Sequence, residues 1–212
     1  MSQPGTATDL LTVAPVVPVV VLEDVEHAVP LARALLAGGL PVIELTLRTP
    51  AALEGVRRIA DEVPEIALGV GTVTTPEQAR LAAESGAGFL VTPGGTERLL
   101  DAVEDTGLPF LAGVSTVSEA LRLAERGHRA MKFFPAEAAG GAAYLKSLGG
   151  PLPELRFCPT GGITTRTAAD YLALPNVGCV GGSWLTPRDL LAAGDWTGVA
   201  DLARAAASLR TA

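Results

Sequence analysis

Eight short β-branched runs alternate along the chain with Ala/Leu/Glu/Arg-rich stretches, and this alternation constrains the fold more than any other feature. The runs cover 16–22, 42–47, 67–73, 88–94, 109–115, 130–136, 156–162 and 177–183. They are nearly continuous apolar segments without polar alternation, as expected of parallel strands covered on both faces. Helices are predicted near 25–38, 50–61, 75–85, 96–105, 116–126, 140–148, 165–173 and 197–209. Thr49-Pro50 and Thr75-Pro76 each offer a hydroxyl N-cap followed by a proline at the first helical position. Gln78 and Glu119, three residues after Thr75 and Thr116, complete two capping boxes. Gly38-Gly39, Gly86 and Gly127 fall where helices should end. Eight strand–helix units in 212 residues, roughly 26 residues each, predict a single-domain (β/α)8 TIM barrel over 9–212. Residues 1–8 are expected to form a flexible tail. The rival architecture, a doubly wound open sheet, usually has five or six strands.

Composition narrows the function classes. With 48% hydrophobic and 18% charged residues the chain can bury a sizeable core, and with 4% aromatics that core must be Ala, Val and Leu. Sixteen basic against 23 acidic residues leave a net charge of −7 and a pI near 4.9, which disfavours nucleic acid and anionic membranes. A small anionic substrate stays open, because one local cluster of donors can hold a phosphate. The start, Met-Ser-Gln-Pro-Gly, has no basic run ahead of an apolar stretch. The run 13–22 is broken by Pro15 and Pro18, far short of the roughly 20 residues of a membrane helix. A cytoplasmic protein is expected. Cys158 and Cys179 cannot form a disulfide framework and are expected to be small buried residues in a reducing compartment. His27 and His128 are roughly a hundred positions apart. No His/Asp/Glu cluster has metal-ligand spacing, so no metal is expected.

In a barrel of this kind, chemistry lies at the C-terminal ends of the strands. The polar residues there are Glu44, Thr46 and then Arg48 from the second run, Thr72 from the third, and Lys132 within the sixth. Thr160-Gly161-Gly162 follows the seventh run and Gly181-Gly182-Ser183 the eighth. Lys132 and Lys146 are the chain's two lysines; the other fourteen basic residues are arginines. Strand alternation puts Ala130, Lys132 and Phe134 on one face, Met131 and Phe133 on the other. Burial favours the neutral amine of a lysine, and a neutral amine can attack a carbonyl to form a Schiff base. An ion pair with Glu44 would explain the same lysine structurally, and the local pattern leaves both readings open. Glu44 shares its strand face with Val42 and Thr46 and suits a proton carrier. Arg48 offers a guanidinium fork matched to a carboxylate, with the Thr72 hydroxyl beside it. The two glycine pairs let backbone N–H groups approach an anion, and Ser183 adds a donor. Neither pair is a dinucleotide fingerprint.

Taken together, Glu44-Leu-Thr-Leu-Arg48-Thr, Gly69-Val-Gly-Thr72-Val, Met131-Lys132-Phe-Phe-Pro-Ala-Glu137 and Arg156-Phe-Cys-Pro-Thr160-Gly-Gly-Ile163 resemble the 2-keto-3-deoxy-6-phosphogluconate aldolases. Val91-Thr-Pro93-Gly94, Gly113-Val-Ser-Thr-Val117 and Cys179-Val-Gly-Gly-Ser183-Trp-Leu185 extend the resemblance from about residue 12 to 205. The resemblance implies a class I aldolase of carbohydrate metabolism on a (β/α)8 barrel, usually a homotrimer without cofactor. Such an enzyme cleaves 2-dehydro-3-deoxy-6-phosphogluconate to pyruvate and glyceraldehyde 3-phosphate in the Entner–Doudoroff pathway. It implies Lys132 as the Schiff-base lysine, Glu44 as general acid/base, and Arg48 and Thr72 on the pyruvate carboxylate. It further implies Thr160 near the aldehyde half, Pro93 and Phe134 as pocket walls, and Gly161, Gly162 and Ser183 on the phosphate. Alternative substrates are 4-hydroxy-2-oxoglutarate and the phosphogalactonate epimer. A phosphate-binding barrel isomerase or synthase would not need the buried lysine. A purely structural trimer or engineered assembly subunit would not need the catalytic set.

Overall fold

A computed structural model describes residues 5–209. Nine parallel strands are present among them: β1 (Val16–Val20), β2 (Val42–Thr46), β3 (Ala67–Gly71), β4 (Phe89–Val91), β5 (Phe110–Leu111), β6 (Gly113–Val114), β7 (Ala130–Phe133), β8 (Arg156–Pro159) and β9 (Val180–Gly182). The helices that cover them are α1 (Ala7–Leu10), α2 (Ala28–Ala37), α3 (Ala52–Glu62), α4 (Pro76–Glu84), α5 (Glu97–Asp105), α6 (Val117–Glu125), α7 (Gly141–Leu148), α8 (Ala168–Leu172), α9 (Arg188–Ala193) and α10 (Trp196–Ala207). The strands β1 to β4, β7 and β9 are buried along their whole length, which accounts for their unbroken apolar sequence.

The expected single closed ladder of eight strands is not what the hydrogen bonds form. Instead the fold is a curled parallel α/β arrangement of two sheets, ordered β5-β4-β3-β2-β1-β9 and β6-β7-β8. The fifth apolar run divides at Ala112. There the Gly113 N–H turns to the Thr92 hydroxyl at 3.4 Å, while Lys132 N–H takes the Ala112 carbonyl at 2.9 Å. A side chain at Gly113 would collide with the Pro93 carbonyl, so glycine permits this change of partner. At the other seam, β8 meets the approach to β9 through isolated parallel bridges, Phe157 to Val177 and Thr160 to Gly181.

Thr75 and Thr116 form the two predicted capping boxes, with Gln78 and Glu119. Thr49 does not cap. The helix after it starts two residues later, from Ala51 without a side-chain cap, and the Thr49 hydroxyl instead donates to the Leu22 carbonyl of the neighbouring loop. Residues 1–4 of the expected tail lie outside the described residues. Ala7 and Thr8 belong to α1, which Thr6 and Asp9 close with a capping box of their own, so helical structure begins ahead of residue 9. Leu10 of that helix is 2% exposed and lines the same interior pocket as Val17 and Val42. Phe89 fills that interior by lying across Gly69, where any side chain would overlap its ring. Burying such a ring or a leucine stabilises the fold by roughly 1.5–3 kcal/mol each.

Candidate active site

β2 and β7 deliver the two charged side chains of the interior. Glu44 pairs in register with Val19 and Gly69, and Lys132 with Gly113 and Cys158. Both point inward, as the alternation predicts, whereas Phe133 on the opposite face of β7 stacks on Tyr144 of α7. Lys132 is 4% exposed and Glu44 3%. Their charged ends stand 3.6 Å apart, an ion-pair distance longer than a hydrogen bond. Glu44 Oε1 is buried with no hydrogen-bond partner among the described residues. The pocket around them is otherwise mainly apolar, with Cys158 and Thr160 adding the remaining polar atoms. A buried carboxylate oxygen left without a donor is costly, and such groups concentrate where chemistry needs them.

The other residues singled out in the sequence lie at or just past the C-terminal ends of the strands. Arg48, exposed past the end of β2, donates through Nε to Thr72 Oγ1 at 3.2 Å. Thr72 is the one non-glycine residue with positive φ, +59°, among the described residues. For a β-branched side chain that conformation costs on the order of 1–3 kcal/mol, and here it keeps the hydroxyl on Arg48. The Phe134 ring centroid lies 5.1 Å from the Lys132 ammonium. Pro93 is half-buried just past β4, its carbonyl against Gly113. Thr160 is buried beside Gly181, whose missing side chain leaves space for the Thr160 hydroxyl. Gly161 and Gly162 follow with φ of +104° and +81°. The Gly162 N–H finds no acceptor among the described residues, so one backbone donor stands free on this positive-φ turn. Ser183 is exposed one residue past β9.

Two features escaped the sequence reading. Gly71 makes room for Glu44, since a Cβ there would overlap its carboxyl group. A glycine inside an apolar strand run was the available signal. Glu137 and Tyr171 are joined by a hydrogen bond across 34 positions, with no local pattern to announce it. The cysteines are free and buried as expected, and the Cys158 thiol, together with burial, pushes the Cys179 thiol up. No group of three or more His, Cys, Asp or Glu that could hold a metal ion occurs among the described residues. No helix among them is long and apolar enough to cross a membrane. A separate cavity of about 560 Å³ opens near Pro15 and Arg156, at the N-terminal ends of the strands, away from Lys132.

An amine and a carboxylate enclosed together within a curled parallel sheet, with a free backbone donor just past β8, are the equipment of an aldolase that works through an imine. A family model described as KDPG and KHG aldolase matches residues 7–202, and the chain belongs to that family. A 2-dehydro-3-deoxy-phosphogluconate aldolase of Dickeya dadantii is 51% identical over 207 residues, spanning 98% of this chain and 97% of its own. A KHG/KDPG aldolase of Escherichia coli is 50% identical over 201 residues, 95% of this chain and 94% of its own. The crystal structure of a KDPG aldolase from Legionella pneumophila, with pyruvate captured as a covalent carbinolamine, superposes with a TM-score of 0.93. It is 42% identical and covers 98% of this chain and 99% of that one.

Proposed function

We propose that this chain is a class I aldolase that cleaves 2-dehydro-3-deoxy-6-phosphogluconate to pyruvate and glyceraldehyde 3-phosphate, in the Entner–Doudoroff route. The observation that carries the reading is the enclosed Lys132–Glu44 pair, 3.6 Å apart with a carboxylate oxygen left without a hydrogen bond among the described residues. The neutral Lys132 amine attacks the C2 carbonyl, and loss of water from the carbinolamine leaves a protonated imine. That cationic nitrogen takes up the electron pair of the breaking C3–C4 bond as an enamine. Glu44 accepts the C4 hydroxyl proton while the aldehyde forms, then returns a proton to C3. Water hydrolyses the imine, releasing pyruvate and the free amine. Carbinolamine capture in the Legionella relative supports the first step.

In this reading Arg48 and Thr72 hold the substrate carboxylate, and Phe134 and Pro93 wall the pocket. Thr160 sits beside the aldehyde half, and Gly161, Gly162 and Ser183 take the phosphate. The free Gly162 N–H on the positive-φ Gly161–Gly162 turn supports the last assignment. The sequence calls on no metal or cofactor. The same reading carries a closed (β/α)8 barrel, supported by the bridges from β8 to β9. It also carries a homotrimer working in the cytoplasm. A second substrate, 4-hydroxy-2-oxoglutarate, is favoured by the double name of the Escherichia coli relative.

Borohydride trapping tests the core of this proposal. Protein incubated with pyruvate and then sodium borohydride should gain the mass of one reduced pyruvate adduct, on the peptide of Lys132 and not that of Lys146. Absence of the adduct from folded protein would end the imine mechanism.

A further inference from the structure

Tyr171 is 1% exposed, yet its hydroxyl reaches out of α8 to donate to Glu137 Oε1 at 2.7 Å. Glu137 is itself fastened to the turn after β8. Its backbone N–H donates to the Gly161 carbonyl at 3.1 Å, and the preceding Ala136 N–H to the Thr160 carbonyl at 2.8 Å. The Glu137 side chain then lies flat on Gly162, where a Cβ would fall 2.7 Å from Glu137 Cγ and 2.8 Å from its Cβ. Phe134 presses on the adjacent Gly161, where a Cβ would fall 3.3 Å from the ring. Two glycines bend the chain back behind Glu137, so that Gly141 N–H reaches the Ala136 carbonyl at 2.9 Å and Gly140 N–H the Glu137 carbonyl at 3.3 Å. The carbonyl side of the Gly161–Gly162 turn is therefore tied down, while the Gly162 N–H is left free.

We infer that Glu137 and Tyr171 are positioning residues for the phosphate end of the substrate. They clasp the Gly161–Gly162 turn from behind and hold the Gly162 N–H in the anion-binding arrangement. The inference rests on the reading that this turn takes the phosphate. A binding turn keeps its geometry only when neighbouring side chains lock it, and a left-handed Gly-Gly pair has little stiffness of its own. The buried Tyr171 hydroxyl supplies the lock, because breaking its hydrogen bond to Glu137 would leave a polar atom in the core without a partner among the described residues. The lock needs an acceptor oxygen at position 137 rather than a negative charge.

Three variants and two readouts test this. Tyr171→Phe and Glu137→Ala are expected to raise KM for 2-dehydro-3-deoxy-6-phosphogluconate about five- to tenfold, as loss of one positioning hydrogen bond would. Competitive inhibition by inorganic phosphate should weaken by the same factor, with kcat within twofold. The pyruvate concentration needed for half-maximal borohydride trapping should stay unchanged, since pyruvate carries no phosphate. Glu137→Gln, which keeps the acceptor oxygen, should restore KM to within twofold of wild type. Equal changes in the phosphate and pyruvate readouts would mean a general structural role and overturn the inference. So would no change in either, or a Glu137→Gln as impaired as Glu137→Ala. Failure of the phosphate-site reading looks different: wild type itself would show no phosphate inhibition, and Ser183→Ala would leave KM untouched.

Discussion

Six positions separate two kinds of electrostatics on the way into and along β7. Before the strand, Arg126 is saturated. Its Nε and Nη2 grip both oxygens of Glu104 at 3.0 and 2.7 Å, Nη2 also donates to Asp101 at 2.5 Å, and Nη1 reaches Glu97 at 2.8 Å. His128 adds a 2.7 Å contact to the same Glu104, while its ring packs edge-on to Phe110. Inside the strand, Lys132 has one carboxylate at 3.6 Å and Glu44 Oε1 has no hydrogen bond among the described residues. The exposed end of the strand is thus fully partnered and the buried end is not. Burial alone would demand the reverse, because unpaired polar groups cost most where water is absent. On the proposed function, the difference separates charges that hold the fold from charges that are kept available for a reaction.

The largest effect should come from removing the incomplete pair altogether. Lys132→Met with Glu44→Gln should abolish both turnover and the trapped adduct. If the pair is kept for chemistry, neutral groups of similar size should leave the protein as stable or more so, by up to about 1–4 kcal/mol. Thermal melts decide it: a marked drop in Tm would mean the pair holds the fold, and the contrast with Arg126 would collapse.

A smaller and more specific break is Gly71→Ala. The added methyl would displace the Glu44 carboxyl while leaving Lys132 alone. Turnover should fall by roughly 10²-fold, within the range of a lost general acid/base, while pyruvate is still trapped on Lys132. In a Glu44→Gln background the same change should add little, because the group it displaces no longer transfers protons. Full additivity of the two losses would remove Glu44 from the account.

How far the sequence announced this arrangement depends on the reach of each interaction. Lys132 and Glu44 were legible because a charge in an apolar run breaks a local pattern, and strand alternation assigns its face. Thr75 and Thr116 were legible because a capping box closes within four residues. Thr49 has the same local signature, but Leu22, 27 positions earlier, claims its hydroxyl. The split of the fifth run at Ala112 follows from Pro93 crowding Gly113, again a distant contact. The Arg126 cluster joins α5 to the entry of β7 over more than twenty positions, so it drew no notice as sequence. α1 was missed because four residues carry too little periodicity, although Thr6 and Asp9 cap it.

Cutting the saturated cluster should reverse the pattern of effects. Arg126→Ala removes the bidentate grip on Glu104, the least exposed of its three carboxylates, and should cost roughly 1–3 kcal/mol. For a chain of this length that corresponds to about 2–4 °C in Tm per kcal/mol. The kcat should be unchanged, because none of these groups lies in the Lys132 pocket. An unchanged melt with damaged catalysis would erase the distinction between the two clusters.

The finest test is acid titration of the same cluster. Hydrogen bonds from Arg126 hold the Glu104 carboxyl down to about 2, against the opposing effect of its partial burial, with His128 helping. A carboxyl that titrates lower in the folded protein than in the unfolded chain stabilises the fold above its unfolded value, near 4.5. That stabilisation fades as pH falls from about 4.5 toward 2. Glu104 is one-third exposed, so water screens the interaction and about 1 kcal/mol is the scale to expect. The Tm gap between wild type and Glu104→Gln should therefore be constant above pH ~5 and close as pH approaches ~2. Other carboxyls titrate in this window too, but they are common to both proteins and cancel in the difference. A gap that persists undiminished to pH ~2.5 would mean that Glu104 contributes by shape rather than by charge. The saturated end of β7 would then hold the fold through packing against Phe110 and not through its ions.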